Sequence, residues 1–422
     1  MGGPPPWYRG ITRDQWRALV AAKLGWMLDA MDFLLYVMAI GKLKEYFGFG
    51  DGTAGLLGTV TLVTSAVGGI VFGVVADRAG RTRALTATIL IFSVCSLGAA
   101  TSQSLWQLMA WRVLLGFGMG GEWASGAVLV SETWPAEHRT RAISIMQSGW
   151  ALGYIAAALL AALVLDVLDL GAEAWRWLFA IGILPALLTL WIRRSVKEPE
   201  AWARRRKEPA TGGGAGAFAV LLGGEYRVKT VMATLLSACV QFANWGLFFW
   251  LPGFLARPVE QGGAGMSIVR SAGWIIPVQI GAYLGYNSFG FIADKLGRRR
   301  TFVLYLATAA VLVPLYGQMA RSPGILMALG PLLGFVGYGY FSLFGSFLAE
   351  LFPTAVRATG QGLTYNLGRG LGALAPYTIG YVATLPNVGI GSALALTSAF
   401  FLAGAVLIMY FEDTSRKVLG AA

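Results

Sequence analysis

Charge is what this 422-residue chain has least of: 13% of its residues are Asp, Glu, Lys or Arg, against roughly a quarter in an ordinary soluble domain. It holds one histidine and two cysteines. The single histidine, His138, falls in a loop, so a histidine proton relay is not expected. Cys95 and Cys239 lie far apart in apolar segments, which excludes a disulfide framework or a paired-cysteine metal site. There is no metal-ligand spacing, no nucleophile with its base and no phosphate-binding loop, so an enzyme is not expected. What is abundant is apolar: 56% hydrophobic residues, 57 glycines and 15 tryptophans. The composition is that of an all-α polytopic membrane protein.

Apolar runs of about twenty residues, the length that crosses a hydrocarbon core, recur at 16–40, 53–76, 84–101, 105–130, 141–164, 175–192, 229–255, 270–293, 301–319, 323–348, 357–384 and 391–411. That makes about twelve transmembrane helices. The first run has charges within it and no small-residue cleavage site, so it reads as a retained helix and not a signal peptide. With both termini cytoplasmic, 24 of the 33 basic residues fall inside, and only Lys42, Lys44, Arg176, Arg257, Arg270 and Arg321 fall outside. This asymmetry fixes the orientation and accounts for the net charge of +12 without a nucleic-acid partner. The other three, Lys23, Arg112 and Arg369, lie within spans. Residues 193–228, with Arg204-Arg-Arg-Lys207 and a glycine-rich run, cannot build a core and read as a cytoplasmic linker. They divide the chain into six-helix halves, 1–192 and 229–422.

The halves repeat. Gly73-x-x-x-Asp77-Arg78-x-Gly80-Arg81 follows the second run and Gly290-x-x-x-Asp294-Lys295-x-Gly297-Arg298 the eighth, with 290 − 73 = 217. Glu132-x-x-Pro135-x-x-x-Arg139 follows the fourth and Glu350-x-x-Pro353-x-x-x-Arg357 the tenth, with 350 − 132 = 218. Two unrelated motifs at nearly one offset indicate an internal duplication. Parallel six-helix repeats meeting at a midplane site are a transporter architecture.

These loops, with Arg112-x-x-x-Gly116-x-Gly118-x-Gly120 on the fourth run, resemble the major facilitator superfamily over essentially the whole chain. The resemblance implies two pseudo-symmetric six-helix halves. Leu28-Asp29-Ala-Met-Asp32-Phe33, Gly120-Gly121-Glu122-Trp123 and Tyr365-Asn366-Leu-Gly-Arg369 are similar to the organic-acid/proton symporters, in the branch of the sialic acid and lactate/pyruvate permeases. That second likeness implies import of a small organic anion with a proton, by alternating access, across a bacterial inner membrane. A monomer with no cofactor but the coupling proton is expected. A proton-coupled sugar or neutral-solute symporter stays open as an alternative, as does a proton-driven exporter.

Asp29 and Asp32 are three residues apart on one helix face, and ionised groups at membrane depth are costly enough that they usually face an aqueous path. Arg112 lies about seven residues, on the order of 10 Å, from the outer end of its helix, the depth of Asp32 on the first. A carboxylate paired with a guanidinium and released by protonation is a workable proton switch; a permanent structural salt bridge is the bland alternative. The same pair is implied by a likeness to sugar porters. Asp29 is open to pairing with Lys23 or with Arg112, and Glu122 is either a second proton carrier or a partner of Lys23. Arg369, near the midplane, suits a substrate carboxylate, which arginine binds bidentately; a bond to backbone carbonyls or to an acid of the other half would also satisfy it. Polar and aromatic residues at similar depth complete a candidate cavity: Gln147, Ser148, Tyr154, Gln241, Asn244, Gln279, Tyr283, Tyr338, Phe341, Tyr365 and Asn366. Asp77, Arg78, Arg81, Glu132 and Arg139, repeated as Asp294, Arg298, Glu350 and Arg357, form a candidate cytoplasmic gate of ion pairs that break as the protein opens inward, or simply solvate the loops.

Overall fold

The computed structural model describes residues 7–135, 137–168, 170–199, 219–224, 226–353 and 356–412, and among them are twelve helical rods and no strand. Eight rods are continuous: α1 (Arg13–Phe47), α2 (Asp51–Ala79), α3 (Arg81–Ala100), α4 (Leu105–Thr133), α7 (Tyr226–Ala256), α8 (Ile268–Leu296), α9 (Arg298–Gln318) and α12 (Gly389–Met409). Four are interrupted: α5 (Arg139–Gln147, Gly149–Ala162, then a wider turn Leu163–Val167), α6 (Ala174–Ile181 and Pro185–Ser195), α10 (Pro323–Gly339 and Phe341–Glu350) and α11 (Arg357–Gly372 and Ala375–Val382). Proline lacks the N–H that continues a helix, and Pro185 and Pro376 stand just past two of these breaks. Nine helices among the described residues are long and apolar enough to cross a membrane. The first starts earlier than its apolar run, at a capping box in which the Gln15 N–H donates to Thr12 Oγ1 (3.3 Å) and the Thr12 N–H to Gln15 Oε1 (2.8 Å). Of the predicted linker, residues 200–218 and 225 lie outside those described.

The repeat extends from the loops into the backbone packing. Helices α2 and α4 cross with nothing between them: a Cβ on Gly116 would stand 2.1 Å from the Thr61 carbonyl oxygen, and one on Gly68 2.0 Å from that of Phe117. The second half repeats both contacts between α8 and α10. A Cβ on Gly334 would stand 1.8 Å from the Val278 oxygen, and one on Gly285 2.3 Å from the Phe335 oxygen. The partners keep the loop offsets, since 334 − 116 and 335 − 117 give 218 while 278 − 61 and 285 − 68 give 217. Small residues that let backbones touch are how apolar helices associate in lipid. Gly334→Val is therefore expected to destabilise the protein by more than the roughly 1–3 kcal/mol of ordinary overpacking, because the added atoms meet a backbone that cannot turn away. A melting temperature in detergent equal to that of the unchanged protein would refute this.

At the cytoplasmic ends the two halves again match. Gly80 (φ 117°) and Gly297 (φ 86°) sit between consecutive helices in a backbone region that a side chain disfavours. Arg81 then donates from Nε and Nη2 to the Glu132 carboxylate (3.1 and 3.0 Å), and at the matching place Arg298 pairs with Glu350 through Nη1. Each pair ties two helices of one half together. Arg78, Arg139 and Asp294 are exposed instead, and the side chains of Asp77 and Arg357 lie outside the described set. Of the candidate gate charges, Glu132 thus takes as its partner Arg81, which the α2–α3 turn aims inward. Sequence reasoning missed Glu198, whose carboxylate takes the backbone N–H groups of Arg81 (2.7 Å), Thr82 (3.2 Å) and Arg83 (3.2 Å) and so caps α3.

On the opposite, outer face the halves are drawn together. Asp51 Oδ1 accepts from Lys44 (2.7 Å) within its own half and from Arg257 (2.8 Å) of the other. Behind it the α11 backbone lies on α2: the Tyr377 N–H donates to Thr59 Oγ1 (3.2 Å), and a Cβ on Gly55 would stand 2.3 Å from the Pro376 oxygen.

Candidate transport site

Between the halves, at mid-depth, lies a cavity of about 30 Å³, lined by Trp26, Gln147 and Trp150 of the first half and by Gln241, Asn244, Trp245, Tyr286, Tyr338, Phe341, Tyr365 and Arg369 of the second. It has room for a water or two. Of the residues that the sequence placed in a cavity, Arg369, Gln147, Gln241, Asn244, Tyr338, Phe341 and Tyr365 line it. Five do not, each held by a nearer partner or by the packing. Ser148 donates its hydroxyl to the Ile145 carbonyl (2.8 Å). Tyr154 donates its hydroxyl to the Phe248 carbonyl (2.7 Å), Asn366 Nδ2 donates to Gly362 of its own helix (2.9 Å), Tyr283 lies under Lys23, and Gln279 is fully buried in α8.

The walls are aromatic. Trp150 bridges Trp26 and Trp245, with ring centres 4.8 and 5.5 Å away. Sequence reasoning passed over these rings because a tryptophan on an apolar helix carries no periodic signal. A clue was present, since Trp150 is three residues after Gln147, Trp245 four after Gln241 and Trp26 three before Asp29, each on the face of a residue already singled out. The cytoplasmic floor is a stack: Trp123 of α4 lies on Tyr365 of α11, centres 4.3 Å apart and planes 11° apart.

The indole N–H can only donate, and this orients the glutamines. Trp245 Nε1 donates to Gln241 Oε1 (3.1 Å) and Trp123 Nε1 to Gln147 Oε1 (3.0 Å). Gln241 Nε2 is left buried without a partner, as is Arg369 Nη2. One cavity therefore holds two unused donors, one of them cationic, and no acid among its lining residues.

Acids stand behind it, in the first half. The Glu122 carboxylate lies against α1 at Gly25, where a Cβ would be 2.5 Å from Oε1; Asp29 is one turn along that same face. Both residues are buried, with Asp29 Oδ2 and both Glu122 oxygens lacking a hydrogen-bond partner. Both lie within the field of Arg369. Lys23 partners neither: its Nζ is 3.4 Å from Ser148 Oγ and 5.3 Å from the centre of the Tyr283 ring. The expected pairings of Lys23 with Asp29 or Glu122 are corrected accordingly, because the side chain turns toward α5 and α8.

Asp32 and Arg112 share a depth without forming an ion pair. The guanidinium lies over the Tyr36 ring at 4.2 Å, with Phe33 at 5.3 Å, a favourable placement for a cation. Asp32 leans the other way, into the gap left where α6 breaks: a Cβ on Gly182 would stand 2.2 Å from Asp32 Oδ1 and 2.1 Å from Ser96 Oγ. Both Asp32 oxygens, and Arg112 Nε and Nη2, are buried without a hydrogen-bond partner. The predicted ion pair is not formed here: the guanidinium lies on the Tyr36 ring and the carboxylate beside Ser96 and Gly182.

Comparison with known proteins places this geometry. The model of the Major Facilitator Superfamily matches residues 24–376. A probable 4-methylmuconolactone transporter of Cupriavidus pinatubonensis is 33% identical over 99% of this chain and 95% of its own. The sialic acid transporter NanX of Escherichia coli is 30% identical, covering 96% of each chain. Among solved structures, the xylose transporter XylE from E. coli, in a partially occluded inward-open conformation, superposes with a TM-score of 0.75 at 18% identity, over 97% of this chain and 100% of that one.

Proposed function

Since the chain belongs to the Major Facilitator Superfamily and is a multi-pass membrane transporter and not an enzyme, we propose that it carries a small organic anion inward together with a proton. The supporting observation is the pair of unused donors, Arg369 and Gln241, in an aromatic cavity without a lining acid. A guanidinium takes a carboxylate through two parallel hydrogen bonds. The tryptophan and tyrosine walls offer flat faces to the rest of the molecule. That combination favours a carboxylate with an extended planar, unsaturated body, a class to which muconate-like compounds belong, over lactate, whose second carbon is tetrahedral, or pyruvate, whose flat face is only three carbons long. Sialic acid retains the carboxylate and adds hydroxyls that Asn244 and Gln147 can meet.

Charge supports coupling. An anion moving into a negative interior is opposed by about 2.3 kcal/mol per 100 mV, and one proton cancels that. Asp29, Asp32 and Glu122 are the candidate carriers, and Arg112 the base that answers Asp32. The protein works as a monomer in a bacterial inner membrane, with no cofactor. A cavity of this size is too small for such an acid, so substrate enters once the halves part.

The test is uptake into proteoliposomes of labelled cis,cis-muconate, benzoate, sialic acid and lactate, with and without an inward proton gradient. Accumulation of an aromatic or unsaturated acid above lactate, and only with the gradient, is expected. Uptake of xylose in preference to every acid would favour a neutral-solute symporter, and outward transport driven by proton inflow an exporter.

A further inference from the structure

Away from the seam between the halves, on the cytoplasmic flank of the first, α3 and the second piece of α6 leave a groove of about 490 Å³. We propose that it binds an anionic phospholipid of the inner leaflet, the phosphate held by Arg83 and Arg193 and one acyl chain lying along α3.

Both arginines line the groove and are exposed, at the third residue of α3 and the third from the end of α6. Neither is committed elsewhere among the described residues. Arg83 reaches only the Ala79 carbonyl of its own chain, at 3.5 Å, and Arg193 makes no hydrogen bond or ion pair. The one acid in the groove, Glu198, spends its carboxylate on the three N–H groups that begin α3. Helix terminus and acid thus offset one another, and two guanidiniums remain to face the headgroup layer. Thr86 turns its hydroxyl to the Thr82 carbonyl (2.8 Å) and offers no competing donor.

What selects a lipid over a free anion is the surface leading away from the arginines. Positions 83, 87, 90, 94 and 97 of α3 follow one helix face at steps of four and three. After Arg83 they are Ala87, Leu90, Val94 and Leu97, the last three 40, 53 and 40% exposed. On α6, Leu190, one turn before Arg193, is likewise exposed (54%), and Val196 joins the arginines in lining the groove. A cationic head at the interface continued by an apolar track running toward the bilayer centre matches the two parts of a phospholipid. Basic pockets between helices on the cytoplasmic side are where anionic headgroups settle.

The experiment compares the full-length protein with an Arg83→Gln/Arg193→Gln variant. After detergent washing, the number of phosphatidylglycerol molecules retained is read by native mass spectrometry, with phosphatidylethanolamine as the neutral reference. The unchanged protein is expected to prefer phosphatidylglycerol by about 30-fold, the factor two interfacial charge contacts give, and the variant to lose that preference. Equal preference in both proteins overturns the assignment. Displacement by inorganic phosphate overturns it too, since that would mean a site for the free anion. If the double variant does not fold, the unchanged protein is compared with phosphatidylglycerols of long and very short chains. Retention that falls as the chains are shortened supports the track on α3, and retention that ignores chain length refutes it.

Discussion

Arg369→Ala is expected to cost at least 100-fold in affinity for the transported carboxylate, roughly the loss typical when one member of a buried, hydrogen-bonded charge pair is truncated. Arg369 is the one charged residue lining the cavity, is 2% exposed, and keeps Nη2 without a partner. Its removal also withdraws the cation whose field reaches Asp29 and Glu122, so part of the effect arises from acids left uncompensated. Arg369→Lys separates the two causes. It restores the charge but not the planar fork, so it is expected to regain the fold's stability while remaining well below the unchanged protein in affinity. Binding of radiolabelled acid to purified protein measures both. Full affinity in the alanine variant would remove Arg369 from the substrate site.

The second large effect is expected at Asp32. Asparagine keeps the shape of the side chain and cannot exchange a proton, so Asp32→Asn should abolish accumulation driven by a proton gradient and leave anion exchange intact. The magnitude follows from the charge that would then move alone. A monovalent anion without its proton is disfavoured inside by about 2.3 kcal/mol at 100 mV, close to a 50-fold exclusion. The variant should therefore hold less substrate inside than outside at such a potential. Neither Asp32 oxygen has a hydrogen-bond partner and the side chain packs beside Ser96 and Gly182, so the substitution breaks no bond that stabilises this conformation. Normal accumulation would exclude Asp32 as the coupling group.

Which parts of this could be read from sequence depends on how each is encoded. The helices and the duplication were legible because long apolar runs and motifs at one offset are linear patterns. Arg369 and the polar residues of the cavity stood out because charge and amide groups are scarce in such helices. The tryptophan walls did not, since in a chain where nearly every helix face is apolar the residues that face a cavity look like those that face lipid. Rotamers are likewise invisible: matching depth placed Arg112 beside Asp32, and only coordinates show the guanidinium lying on Tyr36 instead. Glu198 escaped because its partners are backbone N–H groups more than a hundred residues away.

The duplication also shows what was not duplicated. The glycine contacts and the Arg–Glu pairs occur in both halves, while at the offset of 218 Arg112 maps to Gly330, Glu122 to Tyr340 and Arg369 back to Ala151. Packing is symmetric and chemistry is not. The buried acids belong to one half and the cavity's cation to the other, so any rocking of the halves changes the distance between them.

The Asp51 contact with Arg257 stands where the two halves meet the outer medium. The two groups are 2.8 Å apart and only 11 and 12% exposed, well within the roughly 8 Å over which physiological salt screens charges, and a pair so covered is screened far less than one in the open. The contact thus works as a latch whose grip is set by its own geometry and not by the medium: dilute or salty, the outside leaves it nearly as tight. A cell moving between fresh and saline water would find the resting posture of this carrier unchanged.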